Sequence, residues 1–196
     1  MPSATTGSNP PRKRYHVNNG NVKRSQRGSL MDRGANGGIL GSDARVTFTH
    51  KRFVDVTGID NHELNALKLV DASAIINTQR HGPVIAILRQ YTYHGRDRTI
   101  HSCGQIEYEK NRVHDRSMKV GGIQHIHTLE GYIIPLDVSN GLVYMKMSPN
   151  TDKELAELPH VVLTPGNEWD PRVLDHILRD KEDWYDTLQK YEKGFL

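Results

Sequence analysis

The chain has 196 residues, 36% hydrophobic and only 7% aromatic, a supply that suits one modest folded unit with disordered margins. It contains no run of about 18 or more apolar residues, so no membrane-spanning helix is expected, and the polar opening residues lack the apolar stretch of a signal peptide. One cysteine, Cys103, excludes an internal disulfide and a zinc site of the repeated-cysteine kind, and fits an intracellular compartment, cytoplasm or nucleus.

The formal net charge of +3 is unevenly spread. Residues 1–28 carry six Lys/Arg and no acid, which leaves 20 basic and 23 acidic residues for the remainder. That first segment is rich in Ser, Thr, Asn, Gly and Pro and reads as a disordered basic arm. Such an arm acts as a solvated linker or makes weak nucleic-acid contact by neutralising phosphates.

Residues 29–108 read as short strands separated by turns. Ser29-Leu30-Met31 runs into Asp32 and a Gly-rich turn, and Ile39-Leu40 leaves it. Arg45 to Thr49 and Phe53 to Val56 alternate like strands. Asn61-His62 is a turn, and Leu64 to Ile76 supplies one or two strands more. Asn77 to Pro83 is a polar turn, and Val84 to Leu88 is a buried-looking strand, so the two flank a long hairpin. Residues 109–147 begin with a charged loop or short helix and then show three short strands, around Gln124–His127, Tyr132–Leu136 and Leu142–Met147, the pattern of a β-meander. Residues 148–196 turn helical. Thr151-Asp152-Lys153-Glu154 is a capping box for a helix that Pro159 stops. Asp170-Pro171 pairs an N-cap with Pro at the first helical position, ahead of an amphipathic helix through Leu188.

The chemistry centres on Leu30-Met31-Asp32-Arg33-Gly34-Ala35-Asn36-Gly37-Gly38-Ile39-Leu40-Gly41. An apolar pair delivers an acid into a Gly-rich turn and a second apolar pair leaves it, a layout that holds one carboxylate rigidly at a strand end while Gly34 permits a tight turn. Alone, an Asp-x-Gly is a common turn. In this arrangement it resembles the active-site segment of retropepsin-like aspartic proteases. Gly121-Gly122-Ile123-Gln124, Ile134-Pro135-Leu136, Thr151-Asp152-Lys153-Glu154 and Trp169-Asp170-Pro171 resemble the segment that follows the protease in copia-type retrotransposon polyproteins. The resemblance spans roughly residues 29–178.

It implies a mostly β (α+β) fold, a retropepsin-like β-barrel half followed by a β-meander and C-terminal helices. It further implies a homodimer in which Asp32 of each copy forms the catalytic pair, Gly34 shapes the turn, and His81 and Gly82 sit at the tip of a substrate-binding flap. The substrate would be a polypeptide, with no metal or organic cofactor and no membrane. Two features depart from the pattern: Thr99 to Ile106 is polar where the family has an apolar stretch leading to a short helix, which predicts a weak last core element, and Arg33 stands where the family has a small hydroxyl residue that locks the two turns together. A long cation with no acceptor atom cannot copy that lock, and in a homodimer it brings two positive charges near the axis. The functional reading is an aspartic endopeptidase region of a retrotransposon polyprotein that Arg33 disables; the alternative is a non-catalytic structural or nucleic-acid-associated module of the same polyprotein. A third class is an unrelated β-rich binding domain.

Other candidates are weaker. His125-x-His127 shares one strand face, with His114 and Asp115 nearby, but no third metal ligand is placed. Cys103 with His101 lacks an orienting acid for nucleophilic catalysis. The glycines of 34–41 lack the spacing of a phosphate loop.

Overall fold

The computed structural model describes residues 28–58 and 62–175. The expected basic arm, and the tail helix beyond residue 175, lie outside the described residues. The elements in chain order are β1 (Ser29–Asp32), β2 (Ile39–Leu40), β3 (Arg45–Thr57), β4 (Glu63–Thr78), β5 (Gly82–Tyr93), β6 (Ile100–Ser102), α1 (Cys103–Tyr108), β7 (Arg112–His114), β8 (His125–His127), β9 (Ile133–Ser139), β10 (Leu142–Met145), α2 (Asp152–Glu157) and β11 (His160–Val162). The protein is mostly β, its strands forming one curled sheet in the order β3-β4-β5-β2-β6-β1-β10-β9-β8-β7, with β11 added alongside β5.

β5 sits at the centre because its sequence allows nothing else. Val84, Ile85, Ala86 and Leu88 are all fully buried, and a run apolar on both faces must be covered on both. β4 lies antiparallel on one side, β11 and β2 parallel on the other. β4 divides in two. Its first part, Glu63 to Lys68, alternates charge and apolarity and stays in water, whereas Leu69 to Ile76 enters the core. β3 is polar along most of its length and pairs with β4 through three register shifts. The outer halves of these two strands therefore stand away from the core as a two-stranded arm. The sequence breaks this arm into pieces because Lys51-Arg52 interrupts the alternation, yet an arm wetted on both faces needs no apolar period.

β7 to β10 form a four-stranded meander, one strand more than the sequence pattern shows, since Val113 is the single buried residue of β7. The meander is continuous with the rest of the sheet, because β10 pairs with β1. α2 carries the expected capping box: Thr151 Oγ1 accepts the Glu154 N–H at 3.2 Å, and Glu154 Oε2 accepts the Thr151 N–H at 2.8 Å. No helix among the described residues is long and apolar enough to cross a membrane.

Thr99 to Ser102 looks too polar for a core strand, but it is buried throughout its side chains at Thr99, His101 and Ser102. Each finds a distant partner. Buried Asp43 accepts from Ser29 Oγ at 2.7 Å, from the Thr99 N–H at 3.0 Å and from Thr99 Oγ1 at 2.6 Å. Tyr91 Oη lies 2.8 Å from His101 Nδ1. Ser102 Oγ donates to the Ala35 carbonyl at 2.7 Å. A polar network replaces the apolar stretch, with His101 Nε2 buried and without a hydrogen-bond partner among the described residues.

Candidate active site

β1 lies between parallel β6 and antiparallel β10, with Asp32 opposite Ser102 at its end. The chain then loops through residues 33–38 before β2. This loop is held at nearly every residue. The Gly34 N–H donates to Asp32 Oδ1 at 2.7 Å, and a Cβ on Gly34 would come within 3.2 Å of the same oxygen. Gly34 thus fixes one carboxylate oxygen and leaves it room. Ser102 holds the Ala35 carbonyl, Trp169 Nε1 donates to the Asn36 carbonyl at 2.8 Å, and Gln105 Oε1 accepts the Gly38 N–H at 3.0 Å. Gly38 packs against the Tyr91 ring; a Cβ there would lie 2.2 Å from a ring carbon, so only glycine fits. The result is a half-exposed carboxylate on a rigid loop. Among the described residues no cation pairs with Asp32.

Arg33 turns away from Asp32. Its Nε donates to both oxygens of Asp115, at 3.0 and 2.8 Å, and Nη1 and Nη2 donate to the two oxygens of Glu107 at 3.1 and 2.9 Å. Nη2 also donates to the Val113 carbonyl at 3.0 Å. The Glu107 hydrogen bonds, with those of Asp115, hold its pKa above the ordinary guanidinium value. Two carboxylates of the same chain therefore compensate the Arg33 charge.

The β3–β4 arm, and not the β4–β5 turn, lies over the loop. A cavity of about 310 Å³ separates them. Asn36, Gly37 and Ile39 form its floor, Val54 and Val56 come from the arm, and Trp169 and Pro171 form one wall. Gln90 joins arm to sheet. It adopts a left-handed φ of 60°, its N–H donates to Asp71 Oδ1 at 3.0 Å, and its Oε1 accepts from Arg52 at 2.6 Å.

The structure does not bring His81 and Gly82 to Asp32. They close the opposite end of β5, a 12-residue strand whose ends lie about 35 Å apart at the usual rise. There the His81 ring meets Tyr132 edge-on at 5.5 Å, and the Gln79 N–H donates to the Ile133 carbonyl at 2.8 Å. Gly82, at φ 72°, supplies the left-handed turn of that hairpin. The flap expectation is therefore corrected: the hairpin tip at Gln79–His81 packs on the meander. The first hairpin of the fold is the one that faces the loop after Asp32, across the cavity floored by Asn36, Gly37 and Ile39.

Cys103 and His101 are both buried, but His101 faces Tyr91, and burial pushes the Cys103 thiol up to about 12, which removes its nucleophilic form. His114 and His125 are cross-strand partners with rings 4.6 Å apart, and His127 lies opposite Arg112. Desolvation, then His125 and Arg112, hold His114 below its ordinary pKa. Among the described residues no three His, Cys, Asp or Glu side chains gather as a metal site.

No family model, curated protein or solved structure gives a significant match to this chain. The site must therefore be read from its geometry.

The residues that sequence reasoning missed are Trp169, Gln105, Tyr91 and the arm's Val54 and Val56. Trp169-Asp170-Pro171 stood out as a motif, but nothing local says that its indole reaches a loop 133 residues earlier.

Proposed function

We propose that this chain is an aspartic endopeptidase region of a retrotransposon polyprotein, assembled as a homodimer with one Asp32 from each copy. The observation that carries the reading is the placement of Asp32: a carboxylate fixed by its own turn at a strand end, paired with no cation among the described residues, on a loop whose Asn36 and Gly37 floor a cleft beneath a two-stranded arm. Each chain offers one such carboxylate, so a catalytic pair needs a second copy. Two carboxylates brought together share one proton, because both cannot ionise at that distance. The ionised Asp32 takes a proton from water as the water oxygen attacks the peptide carbonyl carbon. The protonated Asp32 of the other copy donates to the carbonyl oxygen, and collapse of the tetrahedral species passes a proton to the leaving amine. The substrate is an extended polypeptide lying between loop and arm. The basic residues of 1–28 add weak nucleic-acid contact, and the compartment is intracellular, cytoplasm or nucleus.

A second reading, a non-catalytic structural module of the same polyprotein, is favoured by Arg33. Its fork to Glu107 and Asp115 ties the loop to its own chain at the position where the resembled family makes a cross-dimer lock. The two readings separate by assay. Cleavage of an unfolded polypeptide is measured at mildly acid pH for the native chain, Arg33→Ser, and Arg33→Ser with Asp32→Asn. The protease reading expects Arg33→Ser to cleave at least tenfold faster than the native chain and Asp32→Asn to abolish cleavage. Three folded but inert proteins would leave the structural reading in place.

A further inference from the structure

The segment Gly166–Pro171 belongs to neither the sheet nor the meander, yet it walls the cleft between the loop after Asp32 and the β3–β4 arm. Both of its ends are anchored. Upstream, Thr164 Oγ1 accepts the Arg89 N–H at 2.6 Å and donates to the Arg89 carbonyl at 2.9 Å. Downstream, Leu174 fills the space beside Gly104, where a Cβ would come within 2.7 Å of its methyl. Between these anchors the segment is held by two side chains. Trp169 donates to the Asn36 carbonyl at 2.8 Å, lies over Gly37 and meets the Tyr108 ring edge-on at 5.5 Å. Glu168, 73% exposed in its side chain, pairs with Arg52 of the arm. One residue therefore grips the loop and its neighbour grips the arm.

The Asn36 carbonyl is the kind of group an extended ligand uses. A peptide entering beside a fixed backbone gains affinity from main-chain acceptors at the cleft edge. Here the indole N–H has already taken one, and the six-residue span, about 20 Å when extended, matches the length of a bound peptide. The segment also walls the cavity with Trp169 and Pro171. A covalently attached occupant competes at a high effective concentration, so an incoming polypeptide has to displace it.

We infer that Gly166–Pro171 is an intramolecular strap that walls the cleft, takes up the Asn36 carbonyl and restrains polypeptide binding until Trp169 leaves that carbonyl. This rests on reading the cleft between loop and arm as a peptide site, though not on its being catalytically competent. The strap makes access to the cleft a conformational step, with a local opening that breaks one hydrogen bond, one ring contact and one exposed ion pair.

Binding of a fluorescein-labelled unfolded casein to the full-length Asp32→Asn chain, read by anisotropy so that cleavage does not intervene, tests the inference. Adding Trp169→Ala is expected to tighten binding at least tenfold. Adding Glu168→Lys, at an exposed site that leaves folding intact, is expected to tighten it two- to threefold. Both proteins are checked for a cooperative melt. Binding that is unchanged or weaker in the folded variants overturns the strap, and if Trp169→Ala does not fold, Glu168→Lys decides alone. Tightened binding with no cleavage by any chain removes the protease reading and keeps the strap. Asp32-dependent cleavage with unchanged binding does the reverse.

Discussion

Arg33 is the residue whose removal is most informative, because the fork that holds it is visible atom by atom. Arg33→Ser deletes two bonds to Asp115, two to Glu107 and one to the Val113 carbonyl. It also leaves two carboxylates facing each other. The side chains of Arg33 and Glu107 are 49% and 36% exposed, so that half of the fork is solvent-screened and contributes about 0.2–1 kcal/mol. Asp115 is only 16% exposed, and a charge-assisted bond there contributes about 1–2 kcal/mol. The expected loss is about 1–3 kcal/mol, a fall in Tm of roughly 3–9 °C for a domain of this size. Urea denaturation and thermal melts at about 0.05 M and 0.5 M salt measure it, and the loss should shrink at the higher salt. In an Asp115→Asn background the loss should fall by at least half, since the two residues share one network. A loss below about 0.3 kcal/mol, or one that Asp115→Asn leaves unchanged, would refute the account of Arg33 as an intrachain tether.

Gly38→Ala places a methyl 2.2 Å from the Tyr91 ring, and with backbone on one side and a buried ring on the other the core must shift; a loss of about 3 kcal/mol or failure to fold is expected in denaturant melts. Stability should also depend on pH through His101, whose burial lowers its pKa to about 4 against an ordinary value of 6.5. Between these values the unfolded chain binds a proton that the folded chain does not, so stability is full above about 6.5 and falls as the pH drops toward 4, by about 3 kcal/mol in all. The urea midpoint as a function of pH reads this, and His101→Gln should flatten the acid limb. Cys103, buried with its thiol held up near 12, should react with iodoacetamide at neutral pH at least a hundredfold more slowly than in urea; equal rates would contradict its placement.

Where local chemistry decides structure, the sequence was readable. The apolar run of β5, the meander's Gly-punctuated strands, the Thr151–Glu154 capping box and the Gly-rich loop after Asp32 each follow from residues within a few positions of one another. Which hairpin covers the loop is not legible in the sequence, because both hairpins have turn chemistry, and only the three-dimensional placement of Val54 and Val56 above Asn36 and Gly37 decides it. Thr99 to Ser102 looked weak because its partners, Asp43, Tyr91 and Ala35, are far away in sequence. Arg33 looked uncompensated for the same reason: Glu107 and Asp115 reach it across 74 and 82 residues. A polar residue announces its need for a partner, but not which partner the fold supplies.

The central claim is that two Asp32 carboxylates, one from each copy, make a single site. Its most direct measurement is cleavage of an unfolded polypeptide by mixtures of an Asp32 chain with its Asp32→Asn counterpart, both in the Arg33→Ser background and refolded together at constant total concentration. The account predicts that activity falls as the square of the fraction of chains bearing Asp32, because only dimers with both carboxylates cleave. A linear fall, or no cleavage at any ratio, would contradict it.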